Sequence, residues 1–185
     1  MTALPYGKAR RASKALLVKH GITEPPVDVR LLAEREGITF ESTDLEEEVS
    51  GFLIQDRERT ILALNTHHAV VRQRFTIAHA LAHHQLHAGG DDIFIYDLLV
   101  YFRGTGLRWP AEVDLEANAF AQALLMPAEF LRRDFKGRRI DVRDDAGMRQ
   151  MAQRYQVSVA ALTIRLVELR MLRGALGGGG AVTVR

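Results

Sequence analysis

The chain of 185 residues has no cysteine. That excludes disulfides and every zinc site built on thiolates, so a metal ion bound here must be held by His, Asp or Glu. No apolar run approaches the length of about 18 residues that a membrane-spanning helix needs. The N-terminus lacks the hydrophobic region of a signal peptide. A soluble, cytoplasmic protein is expected. Net charge is equally scarce: 25 Lys and Arg oppose 23 Asp and Glu, a formal +2. Only local blocks stand out. Lys8, Arg10, Arg11, Lys14 and Lys19 share the first 20 residues with no acid. Glu41, Asp44, Glu46, Glu47 and Glu48 form an acidic block, and Arg132, Arg133, Lys136, Arg138 and Arg139 a second basic one. Such blocks read as solvated faces, so direct nucleic-acid binding is not favoured.

The histidines are concentrated between His67 and His87. Residues 72–87 read as one amphipathic helix, with Phe75, Ile77, Ala78, Leu81, Ala82 and Leu86 apolar. His79 and His83 stand four residues apart, about 40° of rotation and about 6 Å of rise, so both rings leave one face. Two neutral imidazoles so placed suit a tetrahedral zinc ion. The zinc-protease motif is His-Glu-x-x-His, with the Glu as general base. Here Ala80 occupies that second position: the ligand pair is present and the base is absent. His87, about 12 Å from His79 along the axis, is too far to share one ion with it and reads as a core or supporting histidine. His84 points off that face, and His67 and His68 read as surface residues.

Around this helix the chain divides readily. Residues 6–20 form a basic helix stopped by Gly21. Asp28 caps a short helix from Val29 to Glu36, ended by Gly37. Ile38 to Thr43, Gly51 to Gln55 and Thr60 to Leu64 read as three short strands, the last two joined by a polar hairpin turn. They predict a small antiparallel sheet in which 51–55 and 60–64 flank one cleft with the metal helix and the edge strand, 51–55, pairs with an extended peptide. Residues 88–111 fit a strand pair, a short helix or a lid. Glu112 to Met126 reads as a helix closed by Pro127. Ala128 to Phe135 is a short helix. Residues 148–173 are two helices with Ser158 as a cap, and their pattern fits a packing element better than a DNA reader, because the second lacks a basic row. The expected units are a core with its N-terminal helix over 1–135, a helical pair over 136–174 and a flexible tail over 175–185.

A third ligand is sought on the 112–126 helix. Glu112, Glu116, Phe120 and Leu124 follow at four-residue steps, which places Glu116 near a buried face. A carboxylate there needs a cationic partner, and a zinc ion on His79 and His83 would be one. Glu112 and Asp114 compete for the same role.

These residues carry a family resemblance over about residues 27 to 131. Val27-Asp-Val-Arg-Leu-Leu-Ala-Glu-Arg-Glu-Gly-Ile38, Ser50-Gly51-Phe52, Asn65 and Arg72-Gln-Arg-Phe-Thr-Ile-Ala-His79 contribute. So do Glu116-Ala-Asn-Ala-Phe-Ala121 and Leu124-Leu-Met-Pro127. The chain resembles the ImmA/IrrE zinc metallopeptidases. The resemblance implies an α+β, zincin-like domain, mainly helical, with zinc on His79, His83 and a glutamate carried onto Glu116. It also implies a proteolytic target, commonly an XRE-type helix-turn-helix repressor or an antitoxin, in stress-response, phage-induction or toxin–antitoxin settings. Ala80 departs from the pattern: the family's Glu there moves a proton from the attacking water to the leaving amine. The expectation is therefore a zinc endopeptidase in a catalytically dead form, with a non-catalytic pseudo-protease or toxin component as the alternative. Because both ligands survive beside Ala80, a deliberate inactivating change is favoured over natural decay.

Overall fold

A computed structural model of the protein describes residues 6–55, 58–87, 92–97, 111–136, 139–140, 143–172 and 182–183. Two helices open the chain, α1 (Tyr6–Lys19) and α2 (Val29–Arg35), followed by strands β1 (Ile38–Thr43), β2 (Val49–Gln55) and β3 (Thr60–Asn65). Then come α3 (Val70–Leu86), β4 (Asp92–Asp97), α4 (Ala111–Leu125) and α5 (Ala128–Asp134). Short strand β5 (Arg139–Ile140), helices α6 (Asp145–Tyr155) and α7 (Val159–Glu168), and β6 (Val182–Thr183) complete it. The domain is α+β and mainly helical, as the sequence implies.

Several boundaries follow from caps. Asp28 Oδ1 accepts from Leu31 N at 3.0 Å at the start of α2, and Ser158 Oγ accepts from Ala161 N at 3.1 Å at the start of α7. Gly37, at φ +90°, turns the chain from α2 into β1, a conformation an L side chain resists.

The sheet corrects the expectation of three antiparallel strands. It has four strands in the order β1-β3-β2-β4, and β1 runs parallel to β3. β3 lies between β1 and β2, so the chain must cross from one side of it to the other through residues 44–48. Asn65, fully buried at the end of β3, holds that crossing. Its Nδ2 donates to Leu45 O, Glu46 O and Val49 O at 3.3, 3.1 and 2.8 Å. Strand 51–55 is consequently interior, paired on one side with β3 and on the other with β4. Gly51 sits where a Cβ would meet Ala63 O at 2.5 Å, which is why the strand carries no side chain there.

The central helix is less one-sided than its pattern implies. Every residue from Thr76 to His83 is buried. β2 and β3 pack against α3, as do α1, α2 and α4. A helix wrapped in this way buries its whole circumference.

α1 packs along α4, and three of its basic residues are partnered: Arg10 with Glu168, Lys14 with Glu129, and Lys19 with Glu36. Met148, Met151 and Tyr155 of α6 and Leu162 and Leu166 of α7 join the same core as Leu32, Leu81 and Phe120. Arg165 of α7, 2% exposed, donates to Met126 O at 3.1 Å and pairs with Glu168 at 2.6 Å. The helical pair thereby closes over the end of α4.

Within the expected tail, Val182 and Thr183 pair antiparallel with Ile140 and Arg139. Residues 175–181 and 184–185 lie outside the described residues, as do 88–91 and 98–110 of the segment expected to be strands, helix or lid. No helix among the described residues is long and apolar enough to cross a membrane.

Candidate metal centre

His79 and His83, 6% and 3% exposed, face one another in the middle of α3. Their Nε2 atoms stand 3.1 Å apart. Asp114, from the first turn of α4, brings Oδ1 to 3.3 Å from His79 Nε2. One donor atom from each of the three residues lies within 4.8 Å of the others.

Asn118, one turn along α4, fixes the chemistry of this group. Its Nδ2 donates to Asp114 Oδ2 at 2.9 Å, since a carboxylate can only accept. The amide oxygen therefore faces His79 Nδ1, at 3.0 Å, and that nitrogen must carry the proton. His79 Nε2 is left with a lone pair directed at His83 and Asp114. A converging set of bare nitrogens and a carboxylate oxygen suits a cation. Tetrahedral zinc ligands at about 2.0–2.1 Å are separated by about 3.3 Å, close to the spacing of these atoms.

Protonation favours the same outcome. Burial, reinforced by His79 and His87, pushes His83 down to about 2, so its ring stays neutral, the form that binds metal.

Glu116 is brought to the neighbourhood but not into this group. It is 8% exposed, and its Oε2 lies 3.0 Å from His87 Nε2 and 3.8 Å from Lys8 Nζ of α1. His87 Nδ1 is 3.2 Å from His83 Nδ1. The reason is helical phase: Asp114 and Asn118 share the α4 stripe that meets His79, whereas Glu116 lies about 200° around from Asp114. Glu112 is exposed. The 114, 118 pair was visible in the sequence as an acidic residue and an amide at i,i+4.

Ala80 is completely buried beside the pair and offers no proton-carrying group. His84, as expected, points elsewhere, toward Thr60 Oγ1 and Glu36 O. His67 is exposed and contacts Asp44. His68, read as a surface residue, is instead buried, with Nε2 on Glu47 O at 2.8 Å. It helps to fasten the 44–48 crossing.

A histidine pair on one helix, a carboxylate from the next, and a small mixed sheet packed on the first define a zincin-like metallopeptidase domain. Residues 33–167 match the Peptidase_M78 family, described as the IrrE N-terminal-like domain, and the chain belongs to that family. It is 32% identical over 131 residues to the radiation response metalloprotease IrrE of Deinococcus deserti. That match covers 70% of this chain and 43% of the relative, so the chain spans less than half the relative's length.

Proposed function

We propose that this domain is a zinc endopeptidase centre in which His79, His83 and Asp114 hold the ion and Ala80 leaves the proton-transfer position empty of chemistry. The observation that carries the reading is the convergence of His79 Nε2, His83 Nε2 and Asp114 Oδ1. A divalent ion there supplies Lewis acidity, polarising a peptide carbonyl and acidifying water. Asn118 keeps His79 in the ligating tautomer and holds Asp114 in register. Cleavage also needs a group that takes a proton from water and returns it to the departing amine. The methyl of Ala80 cannot, so this form binds a substrate without cutting it.

The substrate is an extended protein segment. Among the described residues β4 is the outermost strand on one side of the sheet, and it packs against α3. Strand addition at β4 would lay the segment alongside the metal helix. The family resemblance supports an XRE-type repressor or antitoxin as its source. The relative's name as a radiation response metalloprotease supports a stress-response setting.

Metal analysis and reconstruction of the base test this together. One zinc per chain is expected, lost in a His79→Ala, His83→Ala double variant and weakened in Asp114→Ala. Retention of zinc by the double variant overturns the site. Ala80→Glu is expected to raise peptide cleavage by about 10²–10⁴-fold, the usual contribution of a general acid–base group. A zinc-loaded Ala80→Glu protein that binds such regulators but never cuts them would instead favour the binding-only component.

A further inference from the structure

His87 and Glu116 are unused by the proposed chemistry, yet both are largely buried and joined to a ligand. Glu116 Oε2 is 3.0 Å from His87 Nε2. An ionised carboxylate only accepts, so His87 Nε2 carries the proton and His87 Nδ1 is bare. His87 Nδ1 faces His83 Nδ1 at 3.2 Å. His83 Nδ1 must then be the protonated one, and its Nε2 keeps the lone pair that faces His79. The order Glu116, His87, His83 is thus a directional chain that sets the tautomer of a ligand from a carboxylate two bonds away. It mirrors the Asn118 clip on His79, using different residues.

Geometry supports a positioning role. Ring centroids of His83 and His87 lie 5.0 Å apart and are tilted by 56°, so a bond between ring nitrogens, rather than face-to-face stacking, relates them. Glu116 is also tied from outside: Lys8 Nζ of α1 is 3.8 Å from its Oε2 and donates to Leu86 O at 3.4 Å. Lys8 precedes the family-matched residues 33–167, so the N-terminal helix reaches the support of the metal site.

We propose that His87 and Glu116 are positioning residues that hold His83 in its ligating tautomer through a carboxylate–histidine–histidine relay, with Lys8 of α1 bracing the carboxylate. This rests on His79, His83 and Asp114 being the ligands. Groups that orient metal ligands typically contribute about 10–100-fold in affinity.

The test is cobalt(II) titration of the full chain, read from visible absorption, with apo-protein melting as the folding control. The parent chain is expected to bind one cobalt with tetrahedral bands. His87→Leu keeps bulk but removes both nitrogens, and is expected to weaken cobalt about 10–100-fold at unchanged stoichiometry and nearly unchanged apo melting. His87→Gln, which can accept from His83 and donate to Glu116, should recover part of the loss. Long-range proton–nitrogen spectra of the zinc-loaded parent should place the His87 proton on Nε2. The relay is overturned if His87→Leu binds cobalt like the parent, or if that proton is found on Nδ1. It is equally overturned if Glu116→Gln abolishes binding while Asp114→Asn preserves it, since Glu116 would then be the ligand. Failure of the parent chain to bind cobalt at all would instead refute the metal-site reading beneath it.

Discussion

Single residues here do more than fill space, and Asn65 is the clearest case away from the metal centre. Its amide donates to three carbonyls of the 44–49 connection, and its Oδ1 accepts from His67 N at 3.0 Å. Asn65→Ala would leave several buried backbone groups without partners, at about 1–3 kcal/mol for a lost buried hydrogen-bond partner. Asn65→Asp should be worse, because a carboxylate would face three carbonyl oxygens. Urea unfolding of both variants checks the order, and an Asn65→Asp protein as stable as the parent would contradict it. The sequence pointed to Asn65 only through a resemblance. No local pattern reveals that one amide holds a strand crossing, because its partners lie 16 to 20 residues away. The same limit bears on the third carboxylate: spacing singled out Glu116 by helical phase against later apolar residues, whereas Asp114 meets His79 because of where α4 packs on α3.

Elements are joined by a few charged clamps, and one of them predicts acid sensitivity. Asp134 at the end of α5 accepts from Arg154 Nε and Tyr155 Oη of α6, both at 2.9 Å. Burial alone would raise the Asp134 carboxyl, but these hydrogen bonds outweigh it and hold it below its ordinary range. Burial and the Asp134 carboxylate push the Tyr155 hydroxyl upward, so it remains a donor. With the folded value depressed, this contact stabilises the protein fully above the unfolded Asp value, about pH 3.9. That stability is lost as pH falls through the lower folded value. Asp134→Asn should therefore be less stable than the parent near pH 6, and the difference should shrink below about pH 4. Denaturant unfolding between pH 6 and pH 2.5 measures this; a constant gap across the range would exclude the clamp as the cause. Helices and their caps were legible at this scale, since Asp28, Gly37 and Ser158 act locally. Sheet order was not, because three short apolar runs carry no record of which one lies in the middle.

At the scale of the whole molecule, the metal centre is also a structural joint. Its proposed ligands come from α3 and α4, separated in sequence by residues 87–110, and its proposed supports come from α1, the end of α3 and α4. A bound ion therefore ties together elements that the hydrophobic core already packs, and it binds the folded chain in preference to the unfolded one. At free zinc about 100 times its dissociation constant, the gain is about 2.7 kcal/mol. A domain of this size responds by about 2–4 °C per kcal/mol, so zinc should raise the melting temperature by roughly 5–10 °C. A chelator should reverse the rise. The His79→Ala, His83→Ala protein should melt at one temperature with or without zinc. Ala80→Glu adds a sharper contrast: without metal, a carboxylate at this fully buried position lacks a cationic partner and should lower the melting temperature below that of the Ala80 chain. With zinc the penalty should narrow, because the ion offsets the new charge. Calorimetry of the four states, Ala80 and Ala80→Glu with and without zinc, separates the two contributions. An equal loss in both metal states would mean that residue 80 does not face the ion, and the proposed catalytic geometry would fall with it.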